Sequence, residues 1–217
     1  MLFRSPAPMT PGSHQILTCE EARAFEACLF GGDEAKEWPA MQRAGRAIAA
    51  AVERDFAELG GFPANGKILV LAGKGHNGGD ALLAAKSLLE KFPAARADVL
   101  FAFGERPLRP LAARTWRELL HAARGRVGVI ASPAASYDLG LDGLFGFQFR
   151  PPAEPRVAAL IEEINTLPIR LRAAVDLPSA GLLRADFTYA TGCVKTPALE
   201  AAFAGRVRYL EIGRAHV

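Results

Sequence analysis

The 217 residues predict an α/β fold, a three-layer α/β/α sandwich with a mostly parallel central sheet. Three observations carry that prediction. Apolar runs of strand length, "KILVLA" from Lys67, "ADVLFAF" from Ala97, "RVGVI" from Arg126 and "LRAAVD" from Leu171, lack the polar alternation of a half-exposed sheet. Segments with helical spacing separate them, the pattern of parallel strands joined by crossover helices. The first run passes through Gly73, Gly75 and Gly78 straight into such a helix.

The elements follow in order. Residues 1–15 hold several Pro and no apolar run, so they read as a flexible tail rather than a leader. Thr18 and Glu21 form a capping box for a helix with Ala22, Phe25 and Leu29 on one face, ended by Gly31-Gly32. A second helix is expected from about Pro39 to Gly60, with Met41, Ala44, Ile48, Val52 and Phe56 at helical spacing. After the 67–72 strand, a helix is expected over 79–91. Strand 97–103, helix 110–123 and strand 126–130 come next. "YDLGLDGLFG" reads as a weaker strand with a polar end, then helix 154–165, strand 171–176 and two further strands in "ADFTYAT" and "RVRYLEI". One domain, 16–213, contains all of this. Residues 212–217, "IGRAHV", resemble the translation of a common sequencing adapter and are set aside as an artefactual end.

Composition narrows the function classes. Half the residues are apolar and 23% charged, ample for a globular core. The net charge of +3 is spread along the chain, without the basic stripe of a nucleic-acid binder. Cys19, Cys28 and Cys193 make no C-x-x-C pair and leave an odd count, which implies neither a disulfide framework nor zinc. No run approaches the ~18 apolar residues of a membrane span. The expectation is a cytoplasmic protein acting on a small molecule, with no nucleic-acid or membrane partner. An exposed apolar face on the first two helices would suit a homodimer.

Ligands of open α/β sheets bind beyond the carboxyl ends of the strands. Three such ends are unusual: "GKGHNGGD", "DGLFGFQFRPP" and "DLPSAG". The first contains the G-x-G-x-x-G of a Rossmann dinucleotide site, but Asp80 would stand at the start of the helix and compete with an anion for its free N–H groups. Glu105 also lies too far along to hold a ribose. A plain alternative stands beside this, with the glycines permitting a tight turn and Asp80 capping the helix. Asn77, Asp142 and Ser179 offer short oxygen-bearing side chains at neighbouring strand ends, a set that suits a hard cation; each also has an ordinary turn or cap reading. Asp176 ends an apolar strand and is a candidate acid or base.

Four segments, "MQRAGRAIA", "LAGKGHNGGDALLAAKSL", "LDGLFGFQF" and "AAVDLPSAG", occur in the order of the YjeF N-terminal domain family, the NAD(P)H-hydrate epimerases, which the chain resembles from about Ile16 to Gly213. The resemblance implies a Rossmann-like fold and interconversion of the R and S forms of NADHX and NADPHX, hydrates of the reduced nicotinamide cofactors, ahead of a stereospecific dehydratase. It implies substrate contacts by His76, Asn77, Gly78, Gly79 and Asp80, by Gly146, Phe147, Gln148, Phe149, Arg150, Pro151 and Pro152, and by Asp176. Asp176, helped by Asp80, would be catalytic, and Asn77, Asp142 and Ser179 would hold a potassium ion. His76 stands where the family has Asn, Ala180 where it has Gly, and the link from Ser179 to the next strand is short. The competing readings are a non-catalytic binding module of the same fold, the epimerase half of a longer epimerase and ADP-dependent dehydratase, and a Rossmann oxidoreductase.

Overall fold

The computed structural model describes residues 15–212. The expected tail, apart from Gln15, and the suspect end beyond Ile212 lie outside the described residues. Within them, strand β1 (Ile16–Leu17) leads to helices α1 (Cys19–Phe30) and α2 (Glu34–Phe56). A regular alternation follows: β2 (Lys67–Ala72), α3 (His76–Lys91), β3 (Arg96–Phe101), α4 (Pro110–Ala122), β4 (Val127–Val129), β5 (Tyr137–Gly143), α5 (Pro155–Thr166) and β6 (Ile169–Val175). β7 (Phe187–Thr191), β8 (Val194–Lys195), α6 (Thr196–Glu200) and β9 (Arg206–Leu210) close the fold.

Seven strands form one sheet in the order β4-β3-β2-β5-β6-β7-β9, and every pairing in it is parallel. The winding reverses between β2 and β5, which fixes where a ligand crevice opens. Strand side chains alternate between faces. Ile68, Val70 and Ala72 join α2, α3 and α4 in the larger core, while Leu69 and Leu71 face Val157, Ile161 and Ile164 of α5. The "YDLGLDG" strand, which reads weakly in sequence, is central and buried apart from Asp138. The Asp142 end is polar because it belongs to the site.

Three expectations change. α2 starts at Glu34, with Asp33 accepting from the Ala35 amide at 2.9 Å, and carries Pro39 inside it. Burial of Trp38 against Met41, Leu83 and Leu111 holds the turn that proline alone would discourage. The apolar face of α2 packs against α3, α4 and the sheet: Met41, Ala44, Ile48, Val52 and Phe56 are buried and are not free to meet a second copy. β8 pairs with β1, a second small parallel sheet that no periodicity announces in two-residue strands. The "MQRAG" segment has a packing role at Gly45, where an added Cβ would stand 2.3 Å from Leu83 Cβ and force α2 and α3 apart.

Candidate active site

A cleft of about 400 Å³ lies over the carboxyl ends of the central strands. Its floor begins with the glycine turn. α3 starts at His76, three residues earlier than expected, with Gly75 as N-cap and no side chain bonded to its first amides. Asp80 is the fifth helical residue. It neither caps the helix nor blocks it, so the expected competition with an anion does not arise. Those amides, with Lys74 and Arg109 on the rim, are the kinds of donor that suit an anion. Lys74 Nζ stands 4.3 Å from the centroid of Phe103, and the Arg109 amide donates to Lys74 O at 2.9 Å. The turn is tight enough that a Cβ on Gly73 would lie 2.0 Å from Leu144 O, and one on Gly78 2.3 Å from Gly73 O.

Asp176 follows β6 in the left-handed region, φ 69°, which turns its carboxylate back into the cleft. One oxygen accepts from Lys195 Nζ, which also donates to Thr191 O at 3.2 Å. The other, Oδ2, is buried without a partner. Asp80 is buried too, with Oδ1 unpartnered, and Glu26 of α1 reaches the same cleft. Burial drives the Asp80 carboxyl well above its ordinary range, and the charges of Asp176 and Glu26 add to this. Burial likewise lifts Glu26 to about 7, partly offset by Lys195. Burial pulls the Lys195 ammonium down, but the Asp176 carboxylate, with Cys193 and Glu26, outweighs it, and its pKa rises. One buried cation therefore stands among three carboxyl groups. The Asp176–Lys195 ion pair thus stands beside two carboxyl groups, Asp80 and Glu26, whose surroundings favour the protonated form.

The second predicted loop forms the opposite wall. Gly146 admits Asn77, whose Oδ1 would be 2.5 Å from a Cβ there. Phe145 and Phe149 pack at 4.3 Å between centroids, and Phe147 lies under Lys195 at 5.2 Å. Gln148 and Phe149 face the cleft, whereas Arg150, Pro151 and Pro152 line neither it nor the smaller cleft beside it. Gly78 and Gly79 shape the turn rather than line the space. His76 Nε2 lies 3.3 Å from Glu37 Oε2 on α2, a contact made possible by the histidine in this chain.

Of the three oxygen side chains expected to hold a cation, Asp142 and Ser179 meet directly, and Asn77 bonds the same Phe145 backbone that Ser179 does. Ser179 Oγ donates to Asp142 Oδ1 at 2.5 Å, the Ser179 amide to Asp142 Oδ2 at 2.8 Å, and the Phe145 amide to Ser179 Oγ at 3.0 Å. Asn77 Nδ2 donates to the carbonyls of Phe145 at 3.0 Å and Val175 at 2.8 Å. Burial raises Asp142 to about 6 against the hydrogen bonds from Ser179 and Leu144. A carboxylate, a hydroxyl, an amide and nearby carbonyls are the donor types of a weakly hydrated monovalent cation, and they fit potassium in kind. Among the described residues no group of three or more His, Cys, Asp or Glu is placed to hold a metal. Ala180 keeps the left-handed conformation, φ 57°, despite its Cβ, so the missing glycine does not cost the turn.

Glu26, Lys74, Arg109 and Lys195 were missed in sequence. A lysine inside the apolar "GCVKTPAL" is the one signal that pointed to any of them.

Comparison with known proteins agrees with this architecture. The family described as YjeF-related protein N-terminus matches residues 39–202. The chain belongs to this family. It is 40% identical over 166 residues to the bifunctional NAD(P)H-hydrate repair enzyme Nnr of Gloeobacter violaceus, covering 76% of this chain and 30% of that one. Over 215 residues it is 33% identical to the NAD(P)H-hydrate epimerase of Microbacterium testaceum, covering 90% and 77%. The crystal structure of yeast ynu0, YNL200c, superposes with a TM-score of 0.70 at 21% identity over 90% of this chain and 87% of that one, and so has the same fold. The chain spans about a third of the length of the bifunctional relatives it matches. Among the described residues no helix is long and apolar enough to cross a membrane.

Proposed function

We propose that this YjeF-family domain epimerises R- and S-NADHX and NADPHX. The observation that carries the reading is the buried Asp176–Lys195 pair beside Asp80, whose burial favours its protonated form, facing a cleft with Lys74, Arg109 and the first amides of α3 at its rim. The phosphates of the dinucleotide meet the first amides of α3 with Lys74 and Arg109. The hydrated ring then lies toward Asp80 and Asp176. Asp80 donates its proton to the ring hydroxyl, water departs as the ring nitrogen supplies its electron pair, and an iminium remains. Water returns to the opposite face while Asp176 Oδ2 accepts its proton. Lys195 orients Asp176 by holding one carboxylate oxygen, and the partnerless Oδ2 is the oxygen left to act as base.

Asn77, Asp142 and Ser179 would hold potassium, whose charge would fix the turns at 142–146 and 177–179 around the substrate. A dehydratase consuming the S form is the functional partner. The names of the relatives support the substrate, and the charged, unsatisfied interior disfavours a passive binding module. The test is conversion of purified R-NADPHX in potassium and in sodium buffer, coupled to an S-specific dehydratase. A rate above the spontaneous one, greater in potassium and lost in Asp176→Asn, is expected; no acceleration in either buffer refutes the reading.

A further inference from the structure

A second cleft, about 230 Å³, opens between α1 and α2 and reaches the acid cluster from the side. It shares Glu26, His76, Asp80, Gln148 and Thr191 with the main cleft. A dinucleotide in the main cleft would cover Asp80 and Asp176 from above, but not this side entrance. The chemistry gives such an entrance a use. Each turnover takes a proton from Asp80 and leaves one on Asp176, so the pair ends reversed. Asp80 is then an unpaired buried carboxylate, and protonated Asp176 no longer balances Lys195. The cluster must be reset before the next turnover, and Asp80, which lines both clefts, has a route to solvent through the side cleft that does not depend on the main one.

We propose that Glu26 is the proton relay of this site, exchanging protons between solvent in the α1–α2 cleft and Asp80. This rests on the epimerase reading above. A proton passes from the Glu26 carboxyl through water in the space that both residues line to the Asp80 carboxylate, and the Glu26 carboxylate regains one from water in the side cleft; Asp176 returns its own proton to solvent as product leaves. Glu26 faces Glu37 from α2, His76 and Asp80 from α3, and Lys195 and Asp176 across the site, with Arg23 on its own helix. Its burial-raised pKa of about 7 suits a group that both gives and takes a proton near neutrality. Ala27, exposed on α1, lines the side cleft and not the main one, and offers a way to block it without touching the chemistry.

The test compares wild type, Glu26→Gln and Ala27→Phe in single-turnover and steady-state epimerisation of R-NADPHX, with melting curves as a check of folding. The relay predicts that Glu26→Gln slows later turnovers far more than the first, with a steady-state kcat lower by roughly tenfold or more, a KM lowered with it and loss of the inflection near neutral pH. Ala27→Phe should lower kcat in the same sense, and formate should restore turnover to Glu26→Ala. A wild type that epimerises while Glu26→Gln and Ala27→Phe match its kcat and pH profile overturns the relay alone. Equal slowing of the first and later turnovers also overturns it, because it marks a structural role. A wild type that does not epimerise removes the reaction reading and the relay with it.

Discussion

Replacing Lys195 by Met removes the one ammonium from the acid cluster while keeping most of the side-chain volume. Lys195 and Asp176 are both buried, 1% and 3% exposed, so the lost partner cannot be replaced by water. Breaking a buried ion pair from one side costs about 3–5 kcal/mol, a large part of the ~5–15 kcal/mol that holds a domain of this kind folded. The loss must depend on pH. Without Lys195, Asp176 sits beside Asp80 and Glu26 with no compensating charge, and its folded form binds a proton more tightly than the unfolded chain does. A carboxyl raised in this way costs nothing below its unfolded pKa and costs more as pH rises through the folded one. Lys195→Met should therefore approach wild-type stability near about pH 4–5 and fall short by the full amount near about pH 8. Urea titration followed by the fluorescence of the two buried tryptophans, Trp38 and Trp116, measures this directly. Adding Asp176→Asn to Lys195→Met should recover most of the loss at high pH. A deficit that is independent of pH, or within about 1 kcal/mol of zero throughout, would refute the charge balance on which the site assignment depends.

Other consequences are equally concrete. Arg109→Ala should raise the KM for NADPHX roughly tenfold to a hundredfold, as expected for a lost charged hydrogen bond, and leave kcat nearly unchanged. Gly78→Ala places a Cβ 2.3 Å from Gly73 O, so it should cost about 1–3 kcal/mol in denaturation experiments and abolish substrate binding by displacing the turn. Asp142→Ala should remove the difference between potassium and sodium in the epimerase assay. Because Glu26 titrates at about 7 in the folded protein instead of its ordinary 4.5, its contribution to stability is complete below about pH 4.5 and is lost as pH rises through about 7; Glu26→Gln should flatten that part of the stability profile measured by urea titration.

Much of the fold was legible because strand burial and helix periodicity are local properties. "KILVLA" and the spacing of Ile48, Val52 and Phe56 identify the layers before any contact is known. The start of α3 was misplaced because glycines and His76 are poor helix signals in isolation, and tertiary packing of α3 on α2 decided the boundary. That boundary changed the meaning of Asp80 from a helix-end group to an interior acid. Asp176, Asn77, Asp142 and Ser179 could be picked out because strand ends mark where ligands bind.

The sequence by itself determined the α/β alternation, the glycine turn, the position of the strand-end acids and the family. Only the tertiary structure decided that Glu26 from α1, Lys195 from β8 and the acids after β2 and β6 share one desolvated space. The physical reason is that pattern along the chain reports which face of an element is buried, whereas a proton's affinity depends on charges brought near it from distant elements. Glu26 and Lys195 are separated by most of the chain, and only the packing of α1 against the strand ends turns them into one electrostatic unit.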